Sequence, residues 1–423
     1  MKILHILPFL PTPPDFGGAL RVYNLLKHLY EHHDLTVAGF SDHGDLVAFE
    51  KAFPKLKNKA HFKQRFLKKN FKRSYQLLSL LSKESHWFLI TRSASFQKML
   101  DELVDKNQFD LVQFEFPALC QFNIKSDAKT VIDSHNVEYD NFRRMYEKEK
   151  SPLRKYFYKK EYEKIKVQEI QSARTRDAVF TTSERDKKIF QNELPEQDFY
   201  VIPNGVDTDF FAPTNEKPVS NTLVFTGMMG YVPNSDGINY FIDSILPLIR
   251  KQVPDIKLYV VGKNPSPSVL KRASDAITVT GFVEDVRPYI HKAGVYVVPL
   301  RMGGGTRLKV LEALSMKKPV VSTSIGCEGI DVKDGEHLLI ADQKEHFAES
   351  VVKLLKDQKA AQKLSASGKE LIENKYKWSA INEAVEQAYS KILMSNNGSA
   401  SNLNNGFNNQ RTNLQNTRKL YDL

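Results

Sequence analysis

Hydrophobic and polar positions follow two alternating patterns along this chain, one typical of buried strands and one typical of amphipathic helices. The apolar run at residues 2–7 predicts a buried strand, and the helix that follows has apolar positions every three or four residues between Leu20 and Leu29. A second apolar run at residues 35–39 predicts the next strand. Because strand, helix and strand follow one another, this region predicts a parallel sheet with right-handed crossovers.

The same alternation restarts at residue 223, after a loose stretch that contains Pro213 and Pro218. The pattern therefore predicts two doubly wound α/β domains, at residues 1–212 and 221–376, with a linker at residues 213–220 between them. Within the first domain, the charged stretch at residues 143–176 predicts one long, exposed helix.

The end of the chain has a different composition. Residues 395–423 are rich in Asn, Ser and Gly and contain few apolar side chains, so they are predicted to form a disordered tail. Before this tail, residues 377–394 have the periodicity of a final helix.

The most informative stretch begins with the predicted strand at residues 295–300 and turns through Gly303, Gly304 and Gly305 into an amphipathic helix. Glycines in such a turn let a ligand approach the main chain closely. Thr306 is predicted to be the N-cap of the helix, and the free amides of the first turn then form a site for an anion.

Two cations and a carboxylate follow on the same helix. Arg307 offers a planar fork that suits phosphate oxygens, and Lys309 adds a point charge beside it. Glu312 lies one turn beyond Lys309, where a bound ribose can donate hydrogen bonds to its carboxylate. The segment therefore predicts a nucleotide site. The alternative is that Lys309 and Glu312 form an ordinary exposed pair on the helix surface.

The run at residues 303–321 resembles the donor-binding segment of retaining glycosyltransferases of the GT-B fold, within their large family four group. In that family two glutamates frame the segment, the first touching the donor sugar and the second its ribose. Glu312 matches the second position, whereas Gly304 stands at the first. Because Gly304 has no carboxylate, the backbone amides of the glycine run are expected to contact the donor sugar instead.

The resemblance implies two Rossmann-like domains facing a cleft, with the donor mainly on the second domain, the acceptor on the first, and the final helix crossing back to the first. The implied activity is hexosyl transfer with retention, from a nucleoside diphosphate sugar to a glycan or lipid-linked acceptor, in cell-surface polysaccharide or glycoconjugate synthesis. The main-chain amides, Arg307 and Lys309 would stabilise the departing diphosphate, so no metal or other cofactor is expected.

Two alternatives stay open. A nucleotide-sugar-binding scaffold without catalysis is favoured by the glycine at position 304. A nucleotide-sugar epimerase of the same fold would form product without an acceptor.

Other candidate residues follow from the resemblance or from their positions at the ends of predicted strands. His135 follows the strand predicted at residues 129–133, and the resemblance implies a role beside the reacting carbon of the sugar. The predicted catalytic residues are His135, Arg307 and Lys309; the predicted donor-binding residues are Gly303, Gly304, Gly305, Thr306, Glu312, Gly227, Lys263 and Val283; and the predicted acceptor or phosphate loop contains Gly17, Gly18 and Arg21.

Charge narrows the choice of partners. The chain of 423 residues has a formal net charge of +11, which predicts an anionic partner. Lysines and phenylalanines interleave between Lys51 and Arg73. This stretch fits either an anionic membrane surface or a solvated face whose aromatic rings turn into the core. No nucleic-acid-binding motif is recognised, so nucleic acid is not expected as a partner.

Cysteine usage and hydropathy indicate the compartment. The two cysteines, Cys120 and Cys327, fit a reducing environment and provide no zinc-binding spacing. No apolar run approaches the roughly 20 residues of a spanning helix, and Met1 leads into a predicted strand rather than a signal peptide. We therefore expect a cytoplasmic protein, peripheral on the inner face of the plasma membrane where the basic stretch binds lipid.

Overall fold

The computed structural model describes residues 1–41, 44–64 and 72–395, and these form two α/β domains. The first domain is built on a seven-stranded parallel sheet in the order β3-β2-β1-β4-β5-β6-β7. Its strands are β1 (Lys2–Leu7), β2 (Asp34–Phe40), β3 (Ala60–Lys63), β4 (Leu111–Glu115), β5 (Lys129–Ser134), β6 (Ala178–Thr181) and β7 (Phe199–Val201). Its helices are α1 (Gly17–His32), α2 (Leu46–Ala52), α3 (Lys72–Leu81), α4 (His86–Thr91), α5 (Ala94–Lys106), α6 (Glu138–Lys148), α7 (Pro152–Arg174) and α8 (Glu184–Gln191).

The second domain is built on a six-stranded parallel sheet in the order β10-β9-β8-β11-β12-β13. Its strands are β8 (Thr222–Thr226), β9 (Lys257–Val261), β10 (Ile277–Gly281), β11 (Val295–Val298), β12 (Val320–Ser322) and β13 (Leu339–Ile340). The remaining helices are α9 (Val232–Tyr240), α10 (Leu246–Arg250), α11 (Pro267–Leu270), α12 (Arg287–Lys292), α13 (Leu308–Ser315), α14 (Lys344–Lys356), α15 (Gln358–Lys375) and α16 (Trp378–Met394).

Both sheets have helices on both faces, so their central strands are buried along almost their whole length. All residues of β4, β8 and β11 are buried, as expected for parallel strands covered on two sides. The predicted fold class, two doubly wound Rossmann-like domains, is therefore confirmed. In each sheet the strand order reverses once, between β1 and β4 and between β8 and β11. Ligands of open α/β sheets bind beside such reversal points.

The last helix, α16, packs against the first domain rather than the second. Its buried side chains Ile381, Val385, Tyr389 and Ile392 belong to the hydrophobic cluster that also contains residues of β1 and α1. The chain therefore crosses back after α15, as the resemblance implied. The exact domain limits given above remain predictions.

The long helix predicted for most of residues 143–176 is present as α7, at residues 152–174, but it does not begin at residue 143. The structure has two helices there, since α6 ends at Lys148 and α7 starts at Pro152. Proline has no N–H to donate and fits the first turn of a helix, so Pro152 starts α7 and cannot continue α6.

The basic stretch between Lys51 and Arg73 contains β3, an edge strand that the sequence did not predict and that pairs with β2. Phe53 is buried and Phe62 packs against the same core, so these two rings follow the core-facing alternative. Residues 65–71 lie outside the described residues, and so does the predicted tail beyond Ser395. Among the residues described, no helix is long and apolar enough to cross a bilayer.

Candidate active site

A cavity of about 780 Å³ lies between the two domains, and loops at the carboxyl ends of strands from both sheets line it. This volume falls within the range of small-molecule sites. The predicted site residues that line it are Gly17, Gly18, His135, Gly227, Lys263, Val283, Gly304, Gly305, Thr306, Arg307, Lys309 and Glu312. Residues that are far apart in the sequence therefore face one space.

Two predicted site residues do not line this cavity. Gly303 adopts a φ of 118°, which other residues rarely adopt, and so permits the turn without lining the cavity. Arg21 is buried, and its guanidinium donates two hydrogen bonds to the carboxylate of Asp133 and one to the carbonyl of Pro203. Arg21 thus ties α1 to β5 and to the end of the first domain, and its predicted contact with a ligand is corrected to a structural ion pair.

The helix after the glycine run begins two residues later than Thr306. The first helical residue is Leu308, and Arg307 occupies the N-cap position without a side-chain cap. Thr306 is therefore not the N-cap, because the non-helical turn extends through Arg307. The buried hydroxyl of Thr306 has no hydrogen-bond partner among the described residues, although it lines the cavity. It is available to a ligand there.

Lys309 projects from the first turn of α13 toward the end of β8. Its ammonium donates to Asn234 Oδ1 at 2.8 Å and lies 4.3 Å from the centre of the Phe225 ring. Gly227 makes this position possible, because a Cβ there would come within 2.6 Å of Lys309 Nζ. Burial lowers the pKa of Lys309 to about 7, since a low-dielectric environment disfavours the charged form.

Glu312 lies one turn further along α13 and also lines the cavity. Burial raises the pKa of its carboxyl to about 7, and the neighbouring Lys309 opposes the rise. Lys309 and Glu312 are both half-buried at the cavity, and the ammonium of Lys309 binds Asn234, so the geometry does not fit the alternative of an ordinary exposed pair. Both groups instead line the cavity.

Arg307 is buried, and its charge faces the glycine run. Its Nη1 donates to the carbonyls of Gly304 and Gly305, the latter at 2.6 Å. Its Nε and Nη2 have no partner in the part of the chain that the structure describes. Burial lowers the pKa of the guanidinium. Arg307 therefore holds the glycine run in shape, while two of its buried donors stay unpaired among the described residues.

The glycine run contacts the first domain directly. A Cβ at Gly304 would overlap the side-chain oxygen of Asn141, and one at Gly305 would overlap that of Asn136. Both amides donate toward the carboxylate of Glu138, at 3.5 Å from Asn141 and 3.0 Å from Asn136, so their oxygens turn to the glycines. The space that a glutamate would need at position 304 is thus occupied by the other domain.

The opposite wall of the cavity is formed by His135 and by the start of α1. His135 is 6% exposed and follows β5 directly. Gly18 lies beside it, since a Cβ at Gly18 would stand 3.7 Å from His135 Nδ1. Gly17 faces the second domain, where a Cβ would meet Leu308 at 3.4 Å. The two glycines let α1 approach both His135 and α13 closely.

Only one cluster of the described residues has the arrangement of metal ligands. Glu115, Asp133 and His135 bring their ligand atoms within 4.8 Å of one another. However, Arg21 already binds both oxygens of Asp133, and His5 donates to Glu115 at 2.6 Å. Because these partners already satisfy the carboxylates, the cluster fits a metal ion poorly.

Some residues of the site escaped the sequence analysis. Asn234, at the start of α9, receives the hydrogen bond from Lys309 and donates to the carbonyl of Met228 at 2.9 Å. Asn234 therefore orients the ammonium of Lys309. Asn136 lines the cavity one residue after His135. Its proximity to a predicted strand end was the one available signal.

Two family models match the chain. The model described as Glycosyltransferase Family 4 matches residues 17–210, and the model described as Glycosyl transferases group 1 matches residues 220–357. Together they span both domains and the cavity between them.

Curated relatives agree with these matches. The chain is 26% identical over 65% of its length to an uncharacterised 44.6 kDa protein in the cps region of Klebsiella pneumoniae, 72% of which is covered. It is 25% identical over 49% of its length to the phosphatidyl-myo-inositol mannosyltransferase of Mycobacterium leprae, and 23% identical over 46% to the capsular polysaccharide biosynthesis glycosyltransferase CapM of Staphylococcus aureus. These matches span 57% and 55% of the two enzymes.

Solved structures share the fold over nearly the whole length. The sucrose-phosphate synthase of Thermosynechococcus elongatus superimposes with a TM-score of 0.66 at 16% identity, covering 93% of this chain and 100% of that one. Anabaena Alr3699/HepE in complex with UDP-glucose superimposes with a TM-score of 0.61 at 12% identity, covering 92% and 100%. With the family models and the cavity, these likenesses identify the chain as a glycosyltransferase of the GT-B fold and of the family four type.

Proposed function

We propose that this enzyme transfers a hexosyl group, with retention, from a nucleoside diphosphate sugar to a glycan or lipid-linked acceptor in cell-surface polysaccharide or glycoconjugate synthesis. One observation carries the proposal. The cavity sets the cationic start of α13 against His135 of the other domain. A diphosphate held by α13 would extend its sugar toward His135.

The nucleotide half of the donor would lie on the second domain. Its diphosphate would meet Lys309, the free donors of Arg307 and the first-turn amides of α13, where charge and helix dipole both favour an anion. The ribose hydroxyls would donate to Glu312, and Val283 would border the base. This placement gives a partner to the unpaired donors of Arg307.

The reaction breaks the bond between the anomeric carbon and the diphosphate oxygen, and the bonding electrons leave with the diphosphate. Lys309 and the amides would stabilise the charge that develops there, so the proposal requires no metal ion. An acceptor hydroxyl forms the new bond on the same face of the sugar, and its proton leaves with the departing phosphate. His135 would hold the sugar in position for this exchange.

The names of the relatives and neighbours support the class of donor and product. One relative is named a phosphatidyl-myo-inositol mannosyltransferase, and another is named for capsular polysaccharide biosynthesis. One structural neighbour was solved with UDP-glucose. Nucleotide-sugar donors and surface glycan acceptors therefore define the substrates to test first.

The direct test is to incubate the protein with UDP- and GDP-sugars and an acceptor panel, and to read the anomeric configuration of the product by proton NMR. The proposal predicts transfer from one donor, with the anomeric configuration retained and the rate unchanged by EDTA. An inverted product, or loss of transfer with EDTA, would contradict the proposed mechanism. Binding of a nucleotide sugar without turnover would favour the scaffold, and product without acceptor would favour the epimerase.

We further propose that the basic stretch between Lys51 and Arg73 attaches the enzyme to an anionic membrane at the inner face of the plasma membrane. Next to this stretch, α3 exposes Leu77 by 66%, Leu78 by 51% and Leu81 by 90%. Apolar side chains beside a basic segment are typical of surfaces that insert into headgroups.

Vesicle sedimentation tests this attachment. Changing Leu77, Leu78 and Leu81 to Ser should release the protein from vesicles that contain phosphatidylserine. The matched control is Leu153→Ser, because Leu153 on α7 is 85% exposed but lies outside the basic stretch. Equal binding by both variants would contradict the proposal.

A further inference from the structure

One carboxylate, that of Glu115, holds the imidazole ring of His135 in place. Glu115 is the last residue of β4 and pairs in register with Asp133 on β5, two residues before His135. Its Oε2 lies 2.7 Å from His135 Nε2. The sheet itself therefore sets the spacing between the carboxylate and the ring.

Glu115 is fully buried and receives three donors. His5 Nε2 and Gln113 Nε2 approach its Oε1 at 2.6 and 2.8 Å, and His135 approaches its Oε2. Burial alone would raise the pKa of Glu115, but the hydrogen bonds from His135 and His5 lower it far below its ordinary value. An ionised carboxylate only accepts hydrogen bonds, so His135 must carry its proton on Nε2.

The other ring nitrogen faces the ligand space. A Cβ at Gly18 would lie 3.7 Å from His135 Nδ1, and both residues line the cavity. With the proton fixed on Nε2, Nδ1 of the neutral ring presents a lone pair that accepts a hydrogen bond. The bond to Glu115 thus decides what His135 offers to a sugar hydroxyl.

The residue after Glu115 restrains the ring in a second way. Phe116 has a φ of 71° and a ψ of 142°, a conformation that bulky residues rarely adopt. Its ring packs on the imidazole, with ring centroids 4.0 Å apart and planes inclined by 40°. Strain of this kind persists only where the surrounding structure maintains it, and here it brings the phenyl ring against the face of His135.

We propose that Glu115 and Phe116 form a positioning clamp for His135, in which the carboxylate fixes the ring proton on Nε2 and the phenyl ring fixes the ring plane, so that Nδ1 accepts a hydrogen bond from a hydroxyl of the substrate sugar. This inference rests on the proposed function, because it names the nitrogen that the sugar meets. Neither the carboxylate of Glu115 nor the backbone of Phe116 needs to touch the substrate.

The isosteric change Glu115→Gln tests the clamp. Two donors meet at Oε1, so the oxygen of the introduced amide takes that position and its NH2 group faces His135. The ring must then move its proton to Nδ1, and the lone pair leaves the cavity. We expect kcat to fall at least about 100-fold, while KM for the donor stays within about twofold, as for a residue that sets a histidine tautomer.

The matched control is Glu161→Gln, the same change at another buried glutamate. Glu161 is 1% exposed and accepts from the His86 amide at 2.9 Å, away from the cavity. Its kcat should stay within about twofold of the wild type, because its loss can act only through stability. A kcat for Glu115→Gln equal to that of the control would overturn the clamp.

Nitrogen NMR of the histidine rings gives a readout on the wild-type protein itself. In the wild-type protein the His135 signal, assigned by its absence in His135→Gln, should show the proton on Nε2 and an unprotonated Nδ1. A proton on Nδ1 would overturn the inference. Because this readout needs no substrate, it separates failure of the clamp from failure of the proposed function, which would appear as absent donor binding with the clamp intact.

Discussion

The two walls of the cavity are built in opposite ways. The charged groups of the second-domain wall, Arg307, Lys309 and Glu312, come from one contiguous turn and helix, although Gly227, Lys263 and Val283 from other loops also line that wall. The first-domain wall gathers His135 from β5, Glu115 from β4 and Gly18 from α1. In the proposed function, local sequence therefore supplies the charged groups, whereas tertiary structure positions the histidine.

The walls also differ in how far their polar atoms are satisfied. On the first wall, the Nε2 of His135 is paired with Glu115, and Asp133 is paired with Arg21. On the second wall, the Nε and Nη2 of Arg307 and the hydroxyl of Thr306 lack partners among the residues described. Buried polar groups normally have partners, so unpaired ones mark where a ligand completes the structure. One wall is thus fixed before binding, and the other is completed by binding.

The largest expected effect comes from removing one positive charge from the second-domain wall. Lys309→Met keeps the length of the side chain and removes its ammonium, so kcat/KM should fall by about 100- to 1,000-fold through lost stabilisation of the leaving diphosphate. Steady-state kinetics with saturating acceptor measure it. The control is Lys263→Met, because Lys263 lines the same cavity but is 38% exposed and lies 3.9 Å from Asp15. Equal losses in both variants would remove the special role of Lys309.

The next largest effect tests the contact between the glycine run and the first domain. Gly304→Glu restores the family residue, but its side chain would overlap Asn141 and push the domains apart. We expect kcat/KM to fall by about 10- to 100-fold, the cost of a moderate steric overlap. Adding Asn141→Ala should recover part of the loss. A single variant as active as the wild type would show that Asn141 does not occupy this space during turnover.

The pH dependence of donor binding sharpens the electrostatic contrast. The pKa of Lys309 is lowered to about 7, so its charge is present below that pH and is lost as the pH rises through it. Loss of the Lys309 charge alone should therefore weaken affinity for a nucleoside diphosphate about fivefold from pH 7 to pH 8, with proton uptake on binding, and ionisation of Glu312 over the same interval offsets part of this loss. Calorimetry in buffers of different ionisation enthalpy measures both quantities.

The affinity should also fall as the pH drops below 7. The pKa of Glu312 is raised to about 7, and its protonated form accepts hydrogen bonds less well. Lys309→Arg keeps its charge at pH 8, so it should lose the alkaline decline alone. A decline that persists in Lys309→Arg would assign it to another group.

The smallest expected effect concerns the clasp that holds the walls together. Arg144 on α6 donates to both oxygens of Glu328 in the second domain, at 2.9 and 2.8 Å. Arg144→Ala should raise KM for the donor about threefold, since partly exposed ion pairs contribute little, and added salt should raise the wild-type KM similarly. Arg143→Ala is the control, because Arg143 pairs with Asp140 and Glu147 within α6. Equal effects would exclude a clasp.

The contrast between the walls also explains what the sequence could reveal. Lys309 and Glu312 were predicted because helical spacing places them on one face beside a glycine turn, and the structure does place both in the cavity. Arg21 was misassigned because its partner Asp133 lies 112 positions away. Glu115 was not predicted, because a glutamate at the end of a strand does not by itself indicate a contact with a distant histidine. Thr306 is not the N-cap, because the non-helical turn extends one residue further, to Arg307.

Calorimetric binding of a nucleoside diphosphate and of the matching nucleotide sugar can separate the roles of the two walls. It compares the wild-type protein with Lys309→Met and His135→Gln. Lys309→Met should weaken both ligands by the same factor, whereas His135→Gln should leave the affinity for the bare nucleoside diphosphate unchanged. Equal weakening of the bare nucleoside diphosphate by both variants would contradict the division of the cavity into a charge-binding wall and a sugar-positioning wall.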